Sequence, residues 1–237
     1  MTFKGWQKTS LIEYPGKIAT VVFTGGCNFR CPFCYNTELV EQPHKLADLP
    51  AKTVLRYVRE NRSLYQAAVI SGGEPTLNAG TPRFLAEIKS LGLYAGLETN
   101  GSNPEMIERL LEENLVDYIA MDVKAPLEWD AYLGAAGLQQ GQEGLLEDVK
   151  RTLQHLKGAE VEVELRCTVV PRIHTPQQIL RLARQLQGYP RFVLQQFVPE
   201  RALEPQLRNL VPFSSDVLRE IHSQIENLFP RCELRGI

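Results

Sequence analysis

The sequence lacks any apolar run approaching the roughly 18 to 20 residues that a helix needs to cross a bilayer. Its opening residues, MTFKGWQK, have no apolar core, so we expect no secretory signal. Acidic and basic side chains nearly cancel, with 28 Asp and Glu against 26 Lys and Arg. A formal net charge of −2 gives no general attraction to nucleic acid or to an anionic membrane. We therefore expect neither a membrane nor a nucleic acid as the partner.

Cysteine is also scarce, with five in 237 residues, yet three of the five lie close together. Cys27, Cys31 and Cys34 follow the spacing C-x3-C-x2-C. Clustering of this kind is typical of a metal site and not of a disulfide framework, and it indicates a reducing cytoplasm. Thiolates are soft ligands that suit zinc or an iron–sulfur cluster. Three of them would leave one iron of a four-iron cluster open to a substrate or a second cofactor.

Short apolar runs alternate with amphipathic helical segments along most of the chain. The six runs that predict strands are 18–24, 67–70, 93–98, 116–122, 161–170 and 191–198. Helix starts are marked by the pairs Thr81-Pro82, Asn103-Pro104 and Thr175-Pro176, each a capping residue followed by proline. Six strand–loop–helix units in series predict an α/β fold with parallel strands and right-handed crossovers. The pattern alone allows an incomplete parallel (β/α)6 barrel or an open doubly wound sheet.

No linker, sequence repeat or low-complexity segment divides the chain, so we expect a single domain over residues 1–237. Within it, we expect a polar lead-in at 1–17, a barrel core at 18–198, and a C-terminal helix and tail at 199–237. The tail from Cys232 to Ile237 is expected to add a short edge strand. A stretch with several Gly and Ala residues, 125–141, is interpreted as loose and mobile.

Polar residues stand at the ends of the predicted strands, where the carboxyl ends of parallel strands converge on an active site. Beside the three thiols they are Gly72, Gly73, Glu74, Glu98, Thr99, Asp122, Lys124, Arg166 and Gln195. Asp122 and Lys124 are two positions apart, so both face one side of their strand. Charged groups at such places are costly to bury without each other or a polar ligand. The sequence therefore predicts a site for a polar ligand beside the thiols.

The segment KTSLIEYPGKIATVVFTGGCNFRCPFCYN, residues 8–36, resembles the activating enzymes of glycyl-radical proteins. In particular, it looks like the activating proteins of anaerobic ribonucleoside-triphosphate reductase. C-x3-C-x2-C with an aromatic residue, Phe33, before the last cysteine is the signature of the radical SAM (S-adenosylmethionine) superfamily. The resemblance implies a single-domain, incomplete (β/α)6 radical SAM barrel. It also implies a [4Fe-4S] cluster on Cys27, Cys31 and Cys34, with SAM as the second cofactor.

The resemblance also implies a reaction and its partners. A reduced cluster passes one electron to the sulfonium of SAM, and homolysis gives methionine and a 5′-deoxyadenosyl radical. In an activating enzyme this radical removes a hydrogen atom from the α-carbon of a glycine in a partner protein. The expected partners are a glycyl-radical enzyme as the protein substrate and flavodoxin or ferredoxin as the electron donor.

Individual residues match positions of these enzymes that contact the methionine part of SAM. Gly72-Gly73-Glu74 matches the segment that contacts the SAM amino group. Lys124 matches a lysine that approaches the SAM carboxylate, and we group it with the three cysteines as catalytic. Arg166 matches an arginine of the same enzymes.

Other matches concern the rest of SAM. Glu98, Thr99 and Asp122 resemble the positions that hold the ribose and a nearby monovalent cation. Phe33 and Val169 match or suit adenine contacts. Gln195 stands where one subgroup has a histidine near SAM. This histidine is missing here, as is the histidine that often occupies the position of Tyr35, and both departures weaken the assignment to a subgroup.

Several alternatives remain open from the residues themselves. The first is a radical SAM enzyme acting on a small molecule, as carboxydeazaguanine synthase does. The second is a non-catalytic iron–sulfur carrier or a zinc-binding module, in which His44 would be the fourth zinc ligand. Asp122 and Lys124 could form a structural salt bridge, and Arg166 could serve only as an ion-pair partner. His155, His174 and His222 are interpreted as surface or helix residues.

Overall fold

The computed structural model describes all 237 residues, and its centre is one eight-stranded sheet. The ten strands of the chain are β1 (Thr2–Phe3), β2 (Gly5–Ser10), β3 (Ala19–Thr24), β4 (Leu49–Pro50), β5 (Ala67–Gly72), β6 (Tyr94–Thr99), β7 (Tyr118–Asp122), β8 (Glu162–Val169), β9 (Arg191–Gln196) and β10 (Arg231–Arg235). The short strands β1 and β4 pair with each other, and the other eight form the central sheet. The helices are α1 (Thr37–Glu41), α2 (Ala51–Glu60), α3 (Thr81–Ser90), α4 (Pro104–Glu112), α5 (Trp129–Ala136), α6 (Glu143–Leu156), α7 (Pro176–Gln185) and α8 (Ser215–Ile225). None of the helices combines the length and the apolar character needed to span a bilayer.

The sheet is wound in one direction. The six parallel strands β3, β5, β6, β7, β8 and β9 lie side by side in chain order. A doubly wound sheet reverses its strand order at a switch point, and this sheet has no such reversal. The predicted α/β fold with an incomplete parallel barrel of six units is therefore confirmed, and the doubly wound alternative is wrong.

Both ends of the chain contribute edge strands to the sheet. In the predicted lead-in, β2 pairs antiparallel with β3. It has no apolar run, and it is held by backbone pairing and by Trp6, whose Nε1 donates to Thr20 Oγ1 at 2.8 Å. In the predicted tail, β10 pairs in parallel with β9, so the expected edge strand is present.

Alternation along the strands separates two apolar layers. A large cluster joins the outer face of the sheet to the helices. A small cluster lies on the inner face and consists of Tyr14, Ala19, Val21, Ala67, Val69, Tyr118 and Ala120. The rings of Tyr14 and Tyr118, 4.7 Å apart, fill the inner face at the amino ends of the strands. The same alternation places polar residues on the inner face at the opposite, carboxyl ends.

The stretch 125–141, which we predicted to be loose, contains the helix α5. Tyr132, Ala135 and Ala136 on this helix are fully buried, and the helix ends at Gly137 with a φ of 62°. Its buried face is made mostly of alanine, so the sequence shows no stripe of large apolar residues. The prediction was wrong because packing against the rest of the chain stabilises a segment with a weak local pattern.

Side chains at the helix starts follow the sequence prediction in most cases. Asn103 accepts from Met106 N, and Thr175 forms a reciprocal capping box with Gln178. Thr81 is an exception, because α3 begins at this residue and its hydroxyl donates to Pro75 O at 2.8 Å. The helices thus start within a residue or two of the predicted positions.

Candidate active site at the carboxyl ends of the strands

All three clustered thiols face one cavity of about 150 Å³ at the carboxyl ends of the parallel strands. They belong to the loop that leaves β3, and Phe29 and Phe33 from the same loop also line the cavity. Residues predicted from other strands meet them there, namely Gly72, Gly73, Glu98, Thr99, Asp122 and Lys124. The structure thus brings together most of the side chains that the sequence singled out.

The cysteine loop is held by a distant part of the chain. Arg30 N donates to Ala136 O at 3.0 Å, and Cys31 Sγ lies 3.7 Å from the same oxygen. A methyl group built on Gly137 would overlap the carbonyl of Arg30, so only glycine permits this approach. The helix α5 therefore fixes the path of the loop between the first and second thiols.

The thiols lie in surroundings that disfavour a free thiolate. Burial raises the pKa of Cys27 to about 11 and that of Cys31 to about 12, and it also raises the pKa of Cys34. A bound metal deprotonates a coordinating thiol outright, so metal binding would supply the missing positive charge. Three soft sulfur donors facing one cavity fit an iron–sulfur cluster with one iron left open.

The zinc alternative lacks its predicted fourth ligand. His44 is exposed on a short 3₁₀ turn, Pro43–Lys45, and does not line the cavity. No three His, Cys, Asp or Glu side chains are grouped closely enough to hold a single metal ion. The donor arrangement therefore fits a cluster better than a zinc ion completed by His44.

Gly72 and Gly73 allow two loops to touch. Gly72 has a φ of +123°, and a methyl group on Gly73 would overlap the carbonyl oxygen of Gly26. Gly73 N donates to Thr24 O at 2.9 Å, which ties the residue after β5 to the end of β3, where the cysteine loop begins. The glycines thus serve the close approach of backbone to backbone as well as any approach of a ligand.

Glu74 is buried behind the cavity and does not line it. Its Oε1 accepts from Thr76 N at 3.0 Å, Thr76 Oγ1 at 2.6 Å and Thr99 Oγ1 at 2.8 Å, and its Oε2 accepts from Asn100 N at 2.7 Å. Burial raises the pKa of Glu74, and these hydrogen bonds oppose the rise. Its carboxylate therefore positions Thr99 and Asn100, while only the neighbouring glycines reach the cavity.

Four charged side chains form a connected row on the inner face. Arg166 donates from Nη1 to Glu98 Oε1 at 2.7 Å and from Nε to Asp122 Oδ1 at 2.9 Å. Lys124 Nζ donates to Asp122 Oδ2 at 3.1 Å. Burial alone would raise the pKa of Asp122, but Arg166 and Lys124 lower it to about 2. The salt bridge of Asp122 and Lys124, left open as an alternative to a ligand role, is present, and both residues also line the cavity.

A second, larger cavity of about 720 Å³ adjoins the first. The two share a wall made of Tyr35, Asn36, Ser71, Glu98, Asp122 and Thr168. Arg166 and Gln195 face the larger cavity and not the smaller one. Residues of the loop before β3 and of β10, from opposite edges of the sheet, both line it, so the sheet curves around this space.

Val169 does not take the predicted place. It is fully buried and lines neither cavity, whereas Thr168 lines both. Side chains alternate along β8, so Arg166 and Thr168 face inward and Val169 faces the helices. The sequence contained this signal, since Thr168 is two residues after Arg166.

Sequence reasoning missed two titratable residues of the site. His174 is buried, accepts from Val170 N through Nδ1 at 3.0 Å, and approaches Lys124 O with Nε2 at 2.7 Å. Glu13, from the loop before β3, lines the larger cavity, and burial followed by repulsion from Glu98 raises its pKa to about 7. A surface or helix position was predicted for His174, and no local pattern marked Glu13.

Comparison with known proteins identifies the family. Residues 21–186 match the family model of the Radical SAM superfamily. The chain is 32% identical over 230 residues to a Methanocaldococcus jannaschii protein, with 96% of this chain and 93% of that protein covered. The proposed name of that protein is glycyl-radical enzyme activating enzyme. The chain is also 26% identical over 182 residues to the pyruvate formate-lyase-activating enzyme of Clostridium pasteurianum, with 74% and 71% covered.

Solved structures share the fold at low sequence identity. A radical SAM methyltransferase from Sphaerobacter thermophilus aligns with a TM-score of 0.69 at 18% identity, over 94% of this chain and 67% of that chain. SuiB from Streptococcus suis, bound to S-adenosylmethionine, aligns with a TM-score of 0.67 at 15% identity. That alignment covers 92% of this chain and 50% of SuiB.

The fold, the thiol site and the family match define one class: the chain belongs to the radical SAM superfamily. It is a radical SAM enzyme, and membership implies a [4Fe-4S] cluster and SAM as its cofactors. Within the superfamily, it resembles activating enzymes of glycyl-radical enzymes over most of its length.

Proposed function

We propose that this enzyme activates a glycyl-radical enzyme by removing a hydrogen atom from one of its glycines. When bound, the cluster supplies one electron for the reductive cleavage of SAM into methionine and a 5′-deoxyadenosyl radical. The Cα–H bond of the glycine breaks, a C–H bond of 5′-deoxyadenosine forms, and the unpaired electron stays on the glycine. The electron enters from a reduced flavodoxin or ferredoxin.

The residues of the small cavity have separate roles in this proposal. Cys27, Cys31 and Cys34 hold the cluster, and the ammonium group of Lys124 binds the carboxylate of SAM. The ring of Phe33, packed edge-on at 6.2 Å from His174, offers an apolar surface to the adenine. These side chains orient SAM and exclude water from the thiol side of the cavity.

Other side chains hold the remainder of SAM. The backbone at Gly72 and Gly73 faces its amino group, and Glu98, Thr99 and Asp122 face its ribose. Gln195 lies across the larger cavity, where it suits a contact with the partner as well as with SAM.

The observation that carries the proposal is the larger cavity and its shared wall with the thiol cavity. Its mouth is bordered by Leu11 and Ile12, which are 68% and 71% exposed, and by Val198, which is 47% exposed. Exposed apolar side chains around a deep polar cavity fit a protein segment that inserts a loop. A small metabolite would not need this rim.

The partner that we propose is anaerobic ribonucleoside-triphosphate reductase. Support comes from the resemblance of residues 8–36 to the activating proteins of that reductase. We place the reaction in the cytoplasm, because all five cysteines are free, as thiols are in a reducing compartment.

The cofactor is tested first. Anaerobic reconstitution should give about four irons per chain, and the electron spin resonance signal of the reduced cluster should change when SAM is added. Cys31→Ala, which removes one ligand, should fail to keep the cluster. Stoichiometric zinc in anaerobically purified protein, together with failure to assemble a cluster, would contradict the proposal.

The substrate is tested with the reduced enzyme, SAM and the reductase mixed without oxygen. We expect a doublet in the electron spin resonance spectrum, which collapses when the reductase carries α-deuterated glycine. The matched control is the Cys31→Ala variant, which should give no doublet. SAM cleavage without a protein radical, accelerated instead by a small heterocycle, would favour a radical SAM enzyme with a small-molecule substrate.

A further inference from the structure

Arg166 lies between the two carboxylates where the family resemblance implies a monovalent cation. Asp122 on β7 and Arg166 on β8 are direct partners in the parallel register, and Glu98 reaches the same guanidinium from β6. The side chains of Arg166 and Glu98 are only 12% and 13% exposed. One guanidinium thus bridges both acids across three neighbouring strands.

The remaining oxygens of these carboxylates are also occupied. Glu98 Oε2 accepts from Ser71 Oγ at 2.6 Å, and Asp122 Oδ2 accepts from Lys124 Nζ at 3.1 Å. Each of the four oxygens therefore has a donor from the protein. A metal ion would have to displace at least one of these donors to coordinate both acids.

The local charge is balanced without an ion. The positive charges of Arg166 and Lys124 match the negative charges of Glu98 and Asp122, to which they are paired. An added cation would lie beside two positive side chains. Their electrostatic repulsion costs more free energy where water is excluded. The residues present therefore do not fit a monovalent metal ion at this place.

We infer that the guanidinium of Arg166 takes the place of the monovalent cation, so that this enzyme binds SAM independently of potassium or sodium. Arg166 acts here as a positioning residue, which fixes Glu98 and Asp122 in the orientation that faces SAM. The inference deepens the SAM site of the proposed function and does not depend on which substrate loses the hydrogen atom.

The test measures SAM affinity of the reconstituted enzyme without oxygen, by equilibrium dialysis and by the spin resonance change of the reduced cluster. Buffers of equal ionic strength contain potassium, sodium or tetramethylammonium chloride. We expect affinities within about twofold of each other, since no metal ion takes part. An affinity about tenfold weaker in tetramethylammonium and restored by potassium would overturn the inference.

Two variants sharpen the result. Arg166→Met removes the charge at similar length, and we expect its SAM affinity to fall about tenfold in tetramethylammonium and to recover partly in potassium or sodium. Arg166→Lys keeps a positive charge and should stay independent of the metal ion. Wild-type affinity of Arg166→Met in every buffer would contradict the assigned role.

Iron content and the cluster spectrum without SAM report whether each variant folds. If Arg166→Met fails to fold, the wild-type and Arg166→Lys measurements still decide the question. Absence of a glycyl radical on the partner would overturn the proposed substrate and leave these affinities unaffected, so the two failures are distinguishable.

Discussion

At the scale of single residues, the charged groups of this site work as a set. Asp122 touches both Lys124 and Arg166, so its loss would leave Lys124 without its carboxylate partner and Arg166 with Glu98 alone. An unpaired charge in a partly buried site is more costly than the pair is favourable. The strongest effects of substitution are therefore expected at Asp122.

We predict that Asp122→Ala lowers SAM affinity about tenfold or more, because Lys124 loses the partner that orients its ammonium group. Asp130→Ala, on the exposed face of α5, is the matched control and should bind SAM normally. Equilibrium dialysis measures the affinity, and the cluster spectrum verifies the fold. Unchanged affinity in both Asp122→Ala and Lys124→Met would leave only a structural role for this ion pair.

His174 links three parts of the site through one ring. Its Nδ1 accepts from Val170 N, so its Nε2 carries the proton and donates to Lys124 O. Burial lowers the pKa of His174 from its ordinary value of 6.5 to about 4. Between pH 6.5 and about 4, the unfolded chain binds a proton at this histidine that the native chain does not. The free energy of unfolding therefore falls as the pH falls through this range.

The second prediction concerns this pH dependence. As the pH is lowered from 6.5 to about 4, the titration of His174 should reduce the free energy of unfolding by up to about 3 kcal/mol. His174→Gln retains an amide donor and acceptor but does not titrate. In this variant, the free energy of unfolding should depend less steeply on pH. Anaerobic thermal unfolding of both proteins across this range measures the difference. Equal slopes would show that the histidine does not titrate as described.

The sequence was most informative about residues with distinctive chemistry and least informative about pairing. Cysteine spacing and the i, i+2 pair of Asp122 and Lys124 predicted which groups line the small cavity. The bridge from Arg166 to Glu98 could not be predicted, because it depends on the register of three strands. Val169 was assigned to the cavity although the alternation along β8 that places Arg166 on the inner face places Thr168, and not Val169, there as well.

At the scale of elements, the loop after β5 depends on the absence of side chains. Gly73 packs against the backbone of Gly26 in the cysteine loop, and the contact leaves no room for a methyl group. Overpacking of this kind forces the backbone to move. A shift there would displace the loop that presents the thiols.

We predict that Gly73→Ala destabilises the fold by about 1–3 kcal/mol and impairs cluster assembly. Gly144→Ala is the matched control, because a methyl group on that residue of α6 meets no atom within 4 Å. This control should be neutral or stabilising by up to about 1 kcal/mol. Chemical unfolding and iron content check both variants, and normal iron content in Gly73→Ala would refute the expected displacement.

Elements were predictable where the local pattern was strong. Six apolar runs bounded by turns predicted the six parallel strands, and capping residues predicted most helix starts. β2 and α5 were missed for a different reason, since their stability comes from contacts with β3 and with the cysteine loop. Tertiary packing of this kind leaves little trace in the local sequence.

At the scale of the whole molecule, the edges of the sheet create the mouth of the larger cavity. The loop with Leu11 and Ile12 follows the edge strand β2, and Arg235 belongs to the opposite edge strand β10. Arg235 is fixed by the fully buried Glu164, to which its two Nη atoms donate at 2.8 Å each. One side of the mouth thus carries the apolar side chains of Leu11 and Ile12. The other carries the positive charge of Arg235, which Glu164 holds in place.

We predict that Leu11→Asp combined with Ile12→Asp lowers the efficiency of partner activation about tenfold, by removing apolar contacts and adding charge. SAM cleavage without the partner should be unchanged, because these residues do not line the thiol cavity. Val211→Asp, also highly exposed but outside both cavities, is the control. Glycyl-radical yield against enzyme concentration measures the effect, and normal yields in the double variant would remove the loop from the docking surface.

The contact of Arg30 and Cys31 with Ala136 also sets an order of events during biosynthesis. About a hundred residues separate the last clustered cysteine from that alanine. At about 5–20 residues per second, their synthesis takes about 5–20 seconds. During this interval the thiols have left or are leaving the ribosome, and the contact of the cysteine loop with Ala136 cannot yet form. We therefore expect iron delivery to follow synthesis of the middle of the chain, so that the cluster is loaded late in maturation and does not nucleate folding.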